Sequence, residues 1–160
     1  MRRVVDVSLV LIRFLGLFLA GILAGEELVV RYGVHPSLTA LGERSQIQAR
    51  QALIVRLRLL VPVIFVLTAA STIVVLILDG SGAGFGFRCA AALALLSWIL
   101  VTAIGTVPIN KGTLDWRPDA PPANWRALVT RWERLDVIRS SAAVLAFAFL
   151  LAAAAVQATD

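Results

Sequence analysis

The sequence predicts an all-α, integral membrane four-helix bundle with up-and-down order, and three observations carry that prediction. Of its 160 residues, 59% are hydrophobic and only 16% are charged. The resulting mean hydropathy of +0.88 is more apolar matter than one small soluble core can hide, which excludes a soluble globular enzyme. Residues 59–78, 89–110 and 140–159 carry no charged side chain, and each stretch has about the 20 residues that a membrane-crossing helix needs. A fourth apolar stretch, residues 7–25, is broken only by Arg13. The chain therefore reads as a single domain, 1–160, with spans near 7–30, 59–78, 87–109 and 138–158.

The first helix opens behind Arg2 and Arg3 in the manner of a signal peptide. Its apolar part outruns a signal's hydrophobic region of about 7–15 residues and has no small-x-small cleavage site, so it is expected to stay as a span. Gly21 and Gly25 form a GxxxG step, and Gly16, Ala20 and Ala24 repeat small residues at the same interval. The backbone can thus approach a neighbour closely, first within the bundle and second in a homo-oligomer.

The second helix is expected over residues 45–78, with a kink at Pro62, where a backbone donor is missing. The turn over residues 79–86 has glycine at every second position. It lacks the GK[ST] ending and follows no strand, so it reads as a hairpin between membrane helices and not as a phosphate cradle. The fourth helix is expected over residues 124–159 and is alanine-rich from Ala142 onward. At about 1.5 Å per residue, helices two and four each reach roughly 50 Å, against a hydrocarbon core of about 30 Å. They are expected to extend beyond the bilayer on one side and to build a small cap there.

The formal charge is +5, from 15 Lys+Arg against 10 Asp+Glu. In so apolar a chain, this basic excess points to the lipid bilayer as partner and excludes nucleic acid. A single cysteine, Cys89, closes no intrachain bridge. Eleven cations, from Arg31 to Arg139, fall on the cap side, against Arg2, Arg3 and Arg88 on the other. The positive-inside rule then places the cap in the cytoplasm and both termini outside, in a bacterial inner membrane.

Polar residues gather at one membrane edge: Glu26, Glu27 and Arg31 on helix one with His35-Pro36 just beyond, Arg56 and Arg58 on helix two, Asn110 and Lys111 at the end of helix three. On helix four, Trp125, Val129, Trp132, Asp136, Arg139 and Ala143 follow the spacing of a single face. Glu27–Arg31 is also spaced as an ordinary helix-surface pair, and arginines snorkel. Ionisable groups at membrane depth cost roughly 2.5–3.5 kcal/mol each on insertion scales, so the set as a whole marks a pocket between four helices.

The order Ala24-Gly25-Glu26-Glu27, His35-Pro36-Ser37-Leu38, Pro108-Ile109-Asn110-Lys111-Gly112-Thr113-Leu114 and Arg131-Trp132-Glu133-Arg134-Leu135-Asp136-Val137-Ile138-Arg139 resembles the DUF1772 family, which includes anthrone oxygenases. The resemblance covers essentially the whole chain. Several family members carry histidine where this chain has Asp136. The resemblance implies an oxygenase that needs no cofactor, acts on a hydrophobic aromatic small molecule and consumes molecular oxygen.

Carried onto these residues, Asp136 or His35 is the base, and Arg139 with Asn110 stabilises an enolate oxygen. Trp132, Trp125 and Trp116 are the stacking surfaces, with Glu27, Arg31 and Arg56 on the rim. A metal site or haem is disfavoured, because one histidine with Glu26, Glu27 and Asp136 matches no established ligand spacing and the other haem-ligand candidates are Met1 and Cys89. The alternative is a non-catalytic membrane protein that binds a lipid or quinone-like ligand or assists a partner enzyme. A transporter is disfavoured by the few spans and the lack of a repeat.

Overall fold

The computed structural model describes residues 2–159, with side chains described from Val7 onward. Arg2, Arg3 and Met1, invoked above for orientation, signal and haem ligation, have side chains outside the described residues. The chain is 88% helical and forms four long rods. Rod one is α1 (Arg2–Val29), a five-residue π-helical turn (Val30–Val34) and α2 (His35–Thr39). Rod two is α3 (Glu43–Asp79). Rod three is α4 (Phe85–Val101), a second π turn (Thr102–Thr106) and α5 (Val107–Leu114). Rod four is α6 (Trp125–Thr159). Each rod packs on the next and the fourth returns to the first, which closes an up-and-down bundle. All four are long and apolar enough to cross a membrane.

Lipid-facing composition follows from the outward residues: Phe14, Leu59, Ile77, Leu93 and Ile104 are exposed, as they would be only beside acyl chains. The core runs along the axis through Leu23, Val61, Phe65, Leu95, Trp98, Ala143 and Ala146. Of the small residues on α1, Gly16 lies against Ser71 of rod two, where a Cβ would fall 2.8 Å from its hydroxyl, and Gly21 lies against Phe147 of rod four. Gly25 meets nothing within 4 Å, so the close approach uses only part of the GxxxG step. In the turn between rods two and three, Gly84 has φ +77 and sits against Ala153, a position where a side chain would be both strained and crowded.

Rods two and four overhang as expected and build the cap. Its core joins Ile47, Trp125 and Val129 with Trp116 packed against them. Gln51 donates to the carbonyls of Thr113 and Trp116, each at 2.9 Å, and Arg126–Glu43 and Arg44–Asp119 pair on the outside. α3 continues through Pro62 without interruption.

Rods one and three run further than their expected spans, to Thr39 and Leu114, and both do so through a π turn placed one turn before a proline. His35 N–H donates to the Val30 carbonyl and Val107 N–H to the Thr102 carbonyl, five residues back in each case. A proline ring presses on the carbonyl four residues earlier, here Tyr32 for Pro36 and Ile104 for Pro108. The wider turn makes room for each ring without ending the rod.

Candidate functional site

A buried polar cluster sits between the rods at the depth of the two π turns. Glu27, at the end of α1's apolar stretch, is fully buried (0% exposed) and holds the centre. One carboxylate oxygen accepts the indole N–H of Trp98 from rod three at 2.8 Å. Nε of Arg139 on rod four lies 3.1 and 3.2 Å from the two oxygens. Arg139 Nη2 also donates to Asp136 Oδ1 at 3.2 Å, and Asp136 is again fully buried. One guanidinium therefore serves two carboxylates from two helices. Its central carbon lies 5.5 Å from the ring centre of Trp98 and 5.7 Å from that of Trp132, within the range of cation–π attraction.

The spacing read on helix four explains this arrangement. Trp125, Val129, Asp136, Arg139 and Ala143 are all buried, so the 4,3,4,3,4 face does look into the bundle. Trp98 is held flat by Phe65 of rod two, with ring centres 4.5 Å apart and planes 15° from parallel. Gly105, inside the second π turn, lets rod three close on rod four: a Cβ there would fall 2.8 Å from Leu135.

A second layer lies toward the cap. Trp132 donates its indole N–H to Asn110 Oδ1 at 2.8 Å, and His35 stands tilted against the Trp132 ring at 4.7 Å. Arg50 from rod two is buried, pairs with Glu133 at 3.0 Å and lies 5.7 Å over Trp132. Arg31 donates to Ser140 and Ser141 at 3.2 and 3.4 Å. The surface pair Glu27–Arg31 expected from i,i+4 spacing is thus replaced by two contacts across the bundle, because Glu27 turns inward and the π turn begins between the two residues.

Of the ten residues singled out in the sequence, seven converge here: Glu27, Arg31, His35, Asn110, Trp132, Asp136 and Arg139. Three do not. Trp125 and Trp116 are packed in the cap core with Ile47, and Arg56 is exposed. The rod-two cation at the cluster is Arg50, whose signal was its place on the face Ile47, Arg50, Val61, Phe65, Thr68, Thr72, Val75, spaced in threes and fours with one step of eleven, close to three full turns; Arg56 lies off that face. Trp98 was missed as well, although an indole N–H in a charge-free span needs a buried acceptor, which is itself a signal.

Three polar atoms of this layer are buried without a hydrogen-bond partner: Asp136 Oδ2, Glu26 Oε2 and His35 Nε2. Such orphans are costly and rare in a native core. All three can accept a proton or a hydrogen bond, and they surround a guanidinium and two indole faces. That combination can take a proton from a planar apolar molecule and hold the negative charge it leaves behind.

A family model described as anthrone oxygenase matches residues 51–149, more than half of the chain, including Trp98, Asn110, Trp132, Asp136 and Arg139 of this site; Glu27, Arg31, His35 and Arg50 precede the match. No curated protein and no solved structure matches.

Proposed function

The chain belongs to the anthrone oxygenase family, and from that premise we propose that it is a membrane-embedded, cofactor-independent oxygenase acting on a hydrophobic aromatic small molecule at the Asp136–Arg139 layer. The observation that carries the reading is Asp136 Oδ2: a buried acceptor with no partner, on a carboxylate whose other oxygen is held by Arg139. A planar substrate stacks on Trp132 and gives up an acidic C–H proton to that oxygen. His35 Nε2 is the second acceptor within the layer. Arg139 holds the enolate oxygen, in the place where charge develops.

The electron-rich carbanion then reduces molecular oxygen directly, forming a C–O bond to a peroxide that takes up a proton. Loss of water, with the second hydrogen of the same carbon, leaves a carbonyl. The balance is CH2 + O2 → C=O + H2O, with dioxygen as the sole oxidant. Asn110 is already engaged by the Trp132 indole, so its part is to orient the stacking ring.

The test is purified protein, an anthrone and an oxygen electrode, with the quinone product followed optically and a chelator present. One oxygen consumed per anthrone is expected, undiminished by the chelator. Asp136→Asn should lower turnover by about 100-fold or more while the protein stays folded. Turnover that is absent in the parent, or unchanged in Asp136→Asn, rejects the reading.

A second reading, a non-catalytic binder of a lipid or quinone-like ligand or an assistant to a partner enzyme, is favoured by how tightly the cluster is filled. Arg139 is already shared between Glu27 and Asp136, and Thr106 and Ser140 close the layer with no exposed surface. A ligand kept through purification with no oxygen uptake would support it.

A further inference from the structure

At the opposite end of the bundle lies a second buried ion cluster to which the oxygenase reading gives no role. Asp79, the last residue of α3, pairs with Arg13 of rod one and, at 3.2 Å, with Arg88 of rod three. Gln157 of rod four donates to Asp79 Oδ2, the oxygen that Arg88 approaches, at 3.0 Å. Every rod contributes one side chain. Among the described residues here, two guanidiniums face one carboxylate, so one positive charge is left over.

Arg88 is the unusual member. It is 2% exposed, yet its contact with Asp79 lacks hydrogen-bond alignment, and Nε, Nη1 and Nη2 are all without an acceptor, as is Nε of Arg13. A guanidinium so deeply buried with no hydrogen-bond acceptor is expensive. Both arginines line a cavity of ≈ 200 Å³. Ser71 and Thr72 also line it, but their hydroxyl protons are spent on the carbonyls of Leu67 and Thr68 at 2.7–3.0 Å. The donors available to a guest are therefore those of the two arginines and the second amide proton of Gln157.

The cavity shares Phe14 and Leu17 with an apolar groove along the seam of rods one and four, continued by Phe18, Gly21, Ile22, Phe147 and Leu151. Phe14 and Phe18 are exposed on the side that faces lipid. From Arg139 to Gln157, α6 rises roughly 27 Å at about 1.5 Å per residue, close to the thickness of the hydrocarbon core, so the arginines stand at the other headgroup boundary.

We infer that this cavity binds the single negative headgroup of an anionic phospholipid from the surrounding leaflet, its phosphate on Arg88 and Arg13 and one acyl chain in the groove between rods one and four. The positive charge left over among the described residues has the sign a phosphodiester needs, and guanidinium forks match phosphate geometry. The groove accounts for the tail, which a free inorganic anion does not have. The site is independent of the Asp136–Arg139 layer and of whatever chemistry occurs there.

The test is native mass spectrometry of the full chain, stripped of lipid in an uncharged detergent and offered phosphatidylglycerol, phosphatidylcholine or oleate. One phosphatidylglycerol per chain is expected, retained about ten-fold more strongly than phosphatidylcholine. Arg88→Gln should erase that preference, while Lys111→Gln, an exposed charge at the other membrane edge, should keep it. Ala154→Phe, at an exposed position on the cavity wall, should lower retention without altering charge, and it decides the matter if Arg88→Gln does not fold.

Equal retention of the two phospholipids overturns the inference, and so does a folded Arg88→Gln with its preference intact. Unchanged binding in Ala154→Phe, or a preference lost with Lys111, does the same. Oleate held in place of phosphatidylglycerol makes the occupant a free fatty acid and rejects the phospholipid.

Discussion

Arg139 is the residue on which the cluster turns, because among the described residues it is the cation paired with Glu27, and it touches Asp136 as well. Arg139→Ala leaves two buried carboxylates without their cation, and breaking a buried pair from one side costs about 3–5 kcal/mol. A correspondingly lower denaturation midpoint in detergent is expected, and a midpoint equal to the parent's would mean that the carboxylates find other partners. Trp98→Phe is a milder change. It keeps the stack on Phe65 but removes the indole N–H that Glu27 accepts, so a loss of about 1–3 kcal/mol is expected from the same measurement. The sequence made Glu27, Asp136 and Arg139 legible because charge at membrane depth is conspicuous, and helical spacing put the last two on one face. It did not show which cation meets which carboxylate, since Arg31 and Arg139 were equally placed to take Glu27 and only three-dimensional packing decides between them.

Among the elements, the spans, the long overhanging rods and the cap were readable from hydropathy and length alone. The two π turns were not, because an extra residue in a turn leaves hydropathy unchanged. Their trace was the pair of prolines, Pro36 and Pro108, each of which lies inside a rod that runs on past it. Each wide turn advances the following segment by about one residue's rotation, roughly 100°, which sets where His35 and Asn110 fall around their rods. Gly105 is the point at which that geometry can be probed. Gly105→Ala would set a Cβ 2.8 Å from Leu135, and overpacking of this kind costs about 1–3 kcal/mol. Thermal unfolding of the variant should show the loss, and the double variant Gly105→Ala with Leu135→Ala should recover part of it. No recovery would mean that the glycine is needed for its backbone and not for its lack of volume.

For the whole molecule, orientation remains a proposal from charge: the arginine-rich cap inside, the termini outside. A C-terminal alkaline phosphatase fusion should be active and a green fluorescent fusion dark; the reverse pattern inverts the assignment. Several cap arginines are committed to partners, Arg44 to Asp119 and Arg126 to Glu43, yet the bias survives in exposed cations such as Arg56, Arg58 and Lys111. The bundle is therefore hooped with charge at two levels, Glu27–Asp136–Arg139 near the cap and Arg13–Asp79–Arg88 at the far end, with uncharged staves between. Hoops fixed to the staves cannot slide. A membrane appreciably thicker than their separation must thin around the barrel or drag one hoop into oil, so the protein should be choosy about acyl-chain length, holding its shape best where the lipid is as tall as the gap.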